Sequence, residues 1–365
     1  MKKQRLFYLD MAKGIGIFLV VLGHLQGDYF FSLSPVFAPF CAWIFSFHMP
    51  LFFVISGILI RYREDENKDL KALAGGRFRS LMVPYLWFSL IYLLIVVFAL
   101  IKGTVTAGTL FEQIWYVFSL YGMNVLWFLP ALFLGELLFL LIRKKTSGKA
   151  TALTVLILTV LAELAVFGIR QSTLPVRLDE LLTTLIRPVF VCTFVTCGYF
   201  FSGSLKQHDR VFIPELGAGI LLMLLNIFLH PRNAAVDFRS MVHGNPALFY
   251  LCALAASFGL VLITKNLPPM KPVVFYGAHS LVVMAVHNNE TVLYQAMRLA
   301  LYLNQFITKA RGYISYAVIV FVMTLYTVIL IFVIERWFGF LIGKPSPFDQ
   351  LFHRIRSHFT DRKQT

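Results

Sequence analysis

An apolar segment over 9–27 carries three ionisable residues, Asp10, Lys13 and His24. An ionisable side chain inside a lipid-spanning helix costs about 2.5–3.5 kcal/mol on insertion scales, so its presence points to function. At about 100° per residue, Asp10, Lys13, Ile17 and His24 fall at about 0°, 300°, 340° and 320°, a stripe about 60° wide. Lys13 and His24 stand about 16 Å apart along such a helix. The stripe thus offers a cation near one membrane face and a proton-accepting imidazole deeper in. A structural role competes at each position. Asp10 and Lys13 could be an interfacial pair that snorkels to the headgroups, and His24 a core histidine with its hydrogen bond satisfied.

Two more apolar segments carry histidines. FHMPLFFVISGIL, Phe47–Leu59, places His48 near mid-membrane, two residues before Pro50. Proline frees a backbone carbonyl to which His48 could donate, so a structural role there is as natural as a catalytic one. Ser56 and Gly57 read as packing residues. YGAHSLVVMAVHNNE, Tyr276–Glu290, puts Ser280 and His287 seven apart on one face. His287 then lies at a depth comparable with His24, with Asn288, Asn289 and Glu290 lining a vestibule beyond it. Trp127 suits an interfacial anchor or a stacking platform for a sugar. Glu136 and Glu163 also fall within apolar segments and have no partner that the sequence identifies.

The elements that position these residues are membrane spans. Of 365 residues, 58% are hydrophobic and 14% charged, the mean hydropathy is +0.75, and there are 37 Phe. Soluble domains average about 45–50% apolar and about 25% charged. The expected fold is an all-α polytopic transmembrane bundle. Its spans fall at about 9–27, 36–60, 81–101, 125–142, 150–169, 185–202, 211–229, 246–264, 273–290 and 313–334, roughly ten helices. The first segment lacks a small-x-small cleavage site and reads as a retained helix. A short helix is expected around Trp115–Tyr121. No extramembrane domain is expected, so any chemistry falls to the bundle.

The net charge of +15 would suggest nucleic acid in a soluble protein, but here the basic residues cluster between apolar runs, where they set topology. Counted in alternate segments, one set holds 23 Lys and Arg and the other nine, with Lys13 inside a span. The bias places both ends in the cytoplasm. Cys41, Cys192, Cys197 and Cys252 form no CxxC and read as small core residues; no metal site is expected.

The opening RLFYLDMAKGIGIFLVVLGH, Arg5–His24, resembles the bacterial acyltransferase-3 family of membrane O-acyltransferases. That family carries a basic residue about ten positions before a histidine in its first helix, the places of Lys13 and His24. FHMPLFFVISGIL, the basic loop before Pro84-Tyr85, WFLPALF at Trp127–Phe133 and GAHSLVVMAVH at Gly277–His287 follow in the family's order. The resemblance covers nearly the whole chain, and the KGIGI wording is most similar to the fucose 4-O-acetylase-like branch. Many members carry an Arg-x-x-Arg pair entering the third helix, where this chain has Arg77-Phe78-Arg79. Some relatives carry a fused external esterase domain, which is not expected here.

The resemblance implies transfer of an acyl group, acetyl foremost, from cytosolic acyl-CoA to a hydroxyl of a cell-surface glycan or its lipid-linked precursor. It implies a bacterial plasma membrane, with residues 1–340 forming the acyltransferase domain and 341–365 a basic cytoplasmic tail. Lys13, Arg77 and Arg79, with Asp10 beside them, are then the expected CoA-binding residues, since guanidinium suits phosphate. Lys71 also sits at that mouth, but it and Lys68 are read as serving topology alone. His24 is the expected general base, because an imidazole of unperturbed pKa about 6.5 suits a sugar hydroxyl near neutral pH. A histidine acyl intermediate is the second choice. His287 or His48 would polarise the thioester carbonyl or orient the acceptor. The rival is an exporter or flippase of a polysaccharide or lipid-linked sugar, which ten helices with buried polar residues also suit. A polyprenyl-phosphate glycosyltransferase would need an acidic pair on a long external loop, and the loop near Asp28 is short. A sensor would leave the Lys and His stripe unexplained.

Overall fold

The computed structural model describes residues 5–25, 38–205, 211–234, 236–288, 290–303 and 311–345. Asp28, Lys206, Arg210, Asn289 and the tail from 346 onward lie outside the described residues, as does the side chain of Glu290. Among the described residues the elements are helical, apart from one isolated antiparallel bridge between Asp237 and Val242. Nine helical stretches are long and apolar enough to cross a membrane.

The first stretch is α1 (Phe7–Leu25). The second comprises α2 (Ala38–Phe45) and α3 (His48–Arg63), joined through a break at Ser46–Phe47. Pro50 lies in the first turn of α3, and the break is cross-linked rather than loose. His48 Nδ1 donates to Ile44 O at 2.9 Å and Asn226 Nδ2 to Ser46 Oγ at 3.0 Å. Next come α4 (Leu70–Arg77), a π-helical turn over Phe78–Met82, and α5 (Val83–Ile101). The short helix expected near Trp115 is α6 (Ala107–Phe118). A 3₁₀ turn over Asn124–Trp127 leads into α7 (Phe128–Lys145), followed by α8 (Gly148–Gln171) and α9 (Val176–Ser202). Then follow α10 (Ile213–Leu229) and α11 (Pro246–Lys265).

The expected ninth span is corrected. Instead of one helix over 273–290 there are two, α12 (Lys271–Ala278) and α13 (Ser280–Val286), broken at His279. His279 leaves helical geometry with ψ 16°, and its ring is held by Phe275 O at 2.6 Å and by Glu335 at 2.9 Å. Neither piece is long enough to cross alone. An unanticipated helix α14 (Glu290–Leu303) packs on the last span, α15 (Arg311–Trp337).

Helices α1, α3, α7, α9 and α11 form the interior, while α5, α8, α10 and α15 are mostly exposed around it. The exposed side chains are large and apolar, among them Leu94, Phe98, Leu153, Leu164, Leu221, Phe228, Phe321 and Phe332. Lipid, not water, is the solvent for such a surface. Two close crossings fix the interior. A Cβ on Gly277 of α12 would strike the Asp10 carbonyl of α1, and one on Gly198 of α9 the Val54 carbonyl of α3. Small residues at such crossings allow the backbones to touch.

The two charge sets gather at opposite ends. Arg5, Lys13, Arg63, Arg77, Lys144, Lys265 and Lys344 belong to one end, where Gly343 abuts the Arg79 backbone and Lys144 reaches Lys68 O. Arg170, Arg177, Arg187 and Arg239 belong to the other, tied to Ser240 O, Glu180, Arg239 O and Gly122 O. The start of α1 and the residues after α15 therefore share the basic end.

Candidate functional site

The three histidines converge. His24 ends α1, His48 opens α3 and His287 follows α13. The His24 ring centroid lies 5.0 Å from that of His287 and 6.4 Å from that of His48. Each ring is oriented in the same way. Nδ1 of His24 donates to Val20 O at 2.9 Å, that of His48 to Ile44 O, and that of His287 to Met284 O at 2.9 Å. A carbonyl oxygen only accepts, so each neutral ring carries its proton on Nδ1 and offers a lone pair at Nε2. His287 Nε2 is buried and has no hydrogen-bond partner. His48 and His287 are buried, whereas His24 is partly accessible.

A cavity of about 190 Å³ runs from the basic end towards this cluster. Its mouth is lined by Lys13, Arg63 and Arg77. Its inner end is lined by Val20, Met49 and Met284, each within one turn of a histidine. The walls are stripes of the interior helices: Lys13, Ile17 and Val20 from α1, Met49, Ser56 and Arg63 from α3, and Leu129, Leu132 and Glu136 from α7. Ser280 and Met284 of α13 close the remaining side.

Charge at the mouth is partly compensated. Lys13 pairs with Asp10 at 2.6 Å, and Asp10 also binds Arg5 at 2.6 Å. Arg77 pairs with Asp65 at 2.9 Å and with Glu136 at 2.7 Å, and Ser56 donates to Glu136. Arg63 makes no ion pair among the described residues, and it is exposed where it meets the cavity. A mostly apolar cavity with cations at its entrance and an inner end one turn from the histidines, none of which lines it, suits a substrate with an anionic head and a reactive tip.

A protein-family profile described as an acyltransferase domain matches residues 6–336. The chain belongs to the acyltransferase-3 family. A nodulation protein, NolL of Mesorhizobium japonicum, is similar to it, with 32% identity over 213 residues, 55% of this chain and 49% of that protein. The matched stretch spans about half the length of that curated relative. No solved structure matches the chain.

In this acyltransferase-3 domain, the residues expected from sequence divide into groups. His24, His48 and His287 stand together. Lys13 and Arg77 line the cavity, although both guanidinium and ammonium are already paired with carboxylates. Asp10 is not on the cavity wall and acts on Lys13 by neutralising it. Arg79 is exposed and also absent from the wall. Trp127 is buried against Phe238, with rings 5.9 Å apart and nearly parallel, rather than anchored at a lipid interface. In the sequence Ser56 reads only as a packing residue, Glu136 has no identified partner and Arg63 counts only towards the topology-setting charge; none of them reads as a cavity residue. The signal was present: Met49, Ser56 and Arg63 repeat every seven residues on the helix that carries His48. Glu163, without an assigned partner in the sequence, binds His243 at 3.0 Å and Tyr250 at 2.8 Å, away from the cavity.

Proposed function

We propose that this membrane acyltransferase moves an acyl group, acetyl foremost, from cytosolic acyl-CoA to a hydroxyl of a cell-surface glycan or its lipid-linked precursor in a bacterial plasma membrane. The supporting observation is the cavity that leads from a basic mouth to Val20, Met49 and Met284, each within one turn of one of the three clustered histidines. Arg63, with Lys13 and Arg77, receives the CoA phosphates at the mouth. The apolar stripe accepts the arm, and the thioester reaches His24. The acceptor hydroxyl comes to His24 from the opposite end.

Nε2 of His24 takes the hydroxyl proton as the oxygen attacks the thioester carbonyl. The new C–O bond forms, the C–S bond breaks, and the sulfur leaves with its electron pair. The imidazolium returns the proton to the sulfur, and His24 is neutral again. His48 and His287 carry their only protons on Nδ1, bound to backbone, so as neutral rings they have no donor for the thioester carbonyl. Their role in this reading is to accept from the acceptor hydroxyl and orient it, the second of the two roles the sequence allowed.

The test is acylation of the native glycan with labelled acyl-CoA by purified protein. His24→Ala is expected to abolish transfer at normal protein levels; retained turnover would sink the assignment. The exporter reading draws on the broken pair α12–α13, since discontinuous helices line many transporter sites. It requires glycan movement without acyl-CoA consumption, which the same assay measures.

A further inference from the structure

Two arginines at the end opposite the cavity mouth make no ion pair among the described residues. Arg187 is fully buried within α9. Its Nη1 donates to Tyr121 O at 3.3 Å and its Nη2 to Arg239 O at 2.7 Å. Its guanidinium lies 5.1 Å from the Trp127 ring centroid and 5.3 Å from that of Tyr121. Arg239 lies 5.1 Å from the same Tyr121 ring and donates Nη2 to Gly122 O at 3.0 Å. Nε of each arginine is buried without a hydrogen-bond partner. Neither makes an ion pair among the described residues. The neighbouring Asp237 accepts from the Arg239 backbone amide at 2.9 Å.

Two neighbouring cations on one aromatic ring repel each other, and carbonyl dipoles and π faces compensate only part of a buried charge. Such an arrangement is completed by an anion. The site also adjoins the histidines. Asn288, the residue after His287, donates to Asn124 at 2.6 Å, and Asn124 begins the 3₁₀ turn that ends in Trp127.

We propose that Arg187 and Arg239 form an oxyanion-binding subsite for the acceptor, resting on the acyl-transfer reading above. The acceptor then carries a carboxylate, as in an acidic sugar, or a phosphate, as in a lipid-linked one. Arg239 contacts the anion, and Arg187 positions Arg239 through its carbonyl. Tyr121 lies under both guanidiniums, with Trp127 beside Arg187 and Tyr116 beside Arg239.

The experiment measures binding to the full chain in lipid nanodiscs. The probes are an oligogalacturonate, farnesyl diphosphate, a neutral maltooligosaccharide and coenzyme A. One anionic probe is expected to bind at least roughly tenfold more tightly than the neutral one. Arg239→Gln should erase that difference, and Arg239→Lys should restore part of it. Preference for the galacturonate assigns an acidic sugar; preference for the diphosphate assigns a lipid-linked one. Equal affinity for anionic and neutral probes overturns the proposal, as does undiminished anion binding in Arg239→Gln. Coenzyme A affinity should follow Arg63 and not Arg239. If coenzyme A fails to bind while Arg239-dependent anion binding persists, the acyl-transfer reading falls and the subsite stands.

Discussion

His24 differs from its two neighbours in being partly accessible while His48 and His287 are buried. All three rings share one tautomer, so accessibility decides which meets substrate. His24→Ala is therefore expected to lower acyl transfer by roughly 10²–10⁴-fold, the usual value of a general base. His287→Ala and His48→Ala should cost less, since each removes an acceptor that orients the hydroxyl. Turnover with labelled acyl-CoA checks the ranking, and a reversed order would remove His24 from the centre. At the mouth the distinction is between Arg63, which makes no ion pair among the described residues, and Arg79, which is not on the cavity wall. Arg63→Gln should raise KM for acyl-CoA by roughly fivefold, and Arg79→Gln should leave it unchanged. The sequence pointed to Arg79 because it lies in the basic stretch before Pro84-Tyr85, although its spacing from Arg77 departs from the family's Arg-x-x-Arg. It hid Arg63 because a basic residue after an apolar run reads first as a topology signal. Which cation is already neutralised depends on Asp10, Asp65 and Glu136, and pairings across helices are not written in local sequence.

At the level of elements, the interior helices were legible because each repeats apolar residues with polar ones confined to a stripe. Of the stripe read on α1, Lys13 and Ile17 line the cavity, while Asp10 and His24 do not; Val20, one turn before His24, was not part of it. The break at His279 was not legible, since hydropathy runs unbroken through 273–290. The break depends on Glu335, 56 residues away, holding the ring. Glu136 is the corresponding tie between α7 and the α4–α5 turn. Removing its charge by Glu136→Leu leaves Arg77 facing Asp65 alone. The expected loss is up to about 3 kcal/mol, the low end for a broken buried pair. Thermal unfolding in detergent checks it, and Arg77→Leu combined with Glu136→Leu should recover part of the loss. Equal loss in the single and double variants would show that the pair does not tie these elements.

For the whole molecule, the count of crossings and the position of the two ends have to agree. Nine continuous helices would leave the residues after α15 on the far side from Arg5. Instead Gly343 abuts Arg79, and Lys344 pairs with Glu335 at the basic end. An even number of crossings is required, and α12–α13 supplies the tenth in two pieces. The excess of Lys and Arg predicts that the basic end faces the cytoplasm. Single cysteines at Arg79, Ala234 and Lys344, all exposed, test this with a membrane-impermeant maleimide on intact cells. The native Cys41, Cys192 and Cys252 are buried and Cys197 half-buried, so background labelling should be low. Ala234→Cys should label, while Arg79→Cys and Lys344→Cys should label only after the membrane is opened. If Lys344→Cys labels together with Ala234→Cys, the broken pair does not cross. If Arg79→Cys does so, the cavity mouth faces away from cytosolic CoA, and the route from Arg63 to His24 loses its substrate.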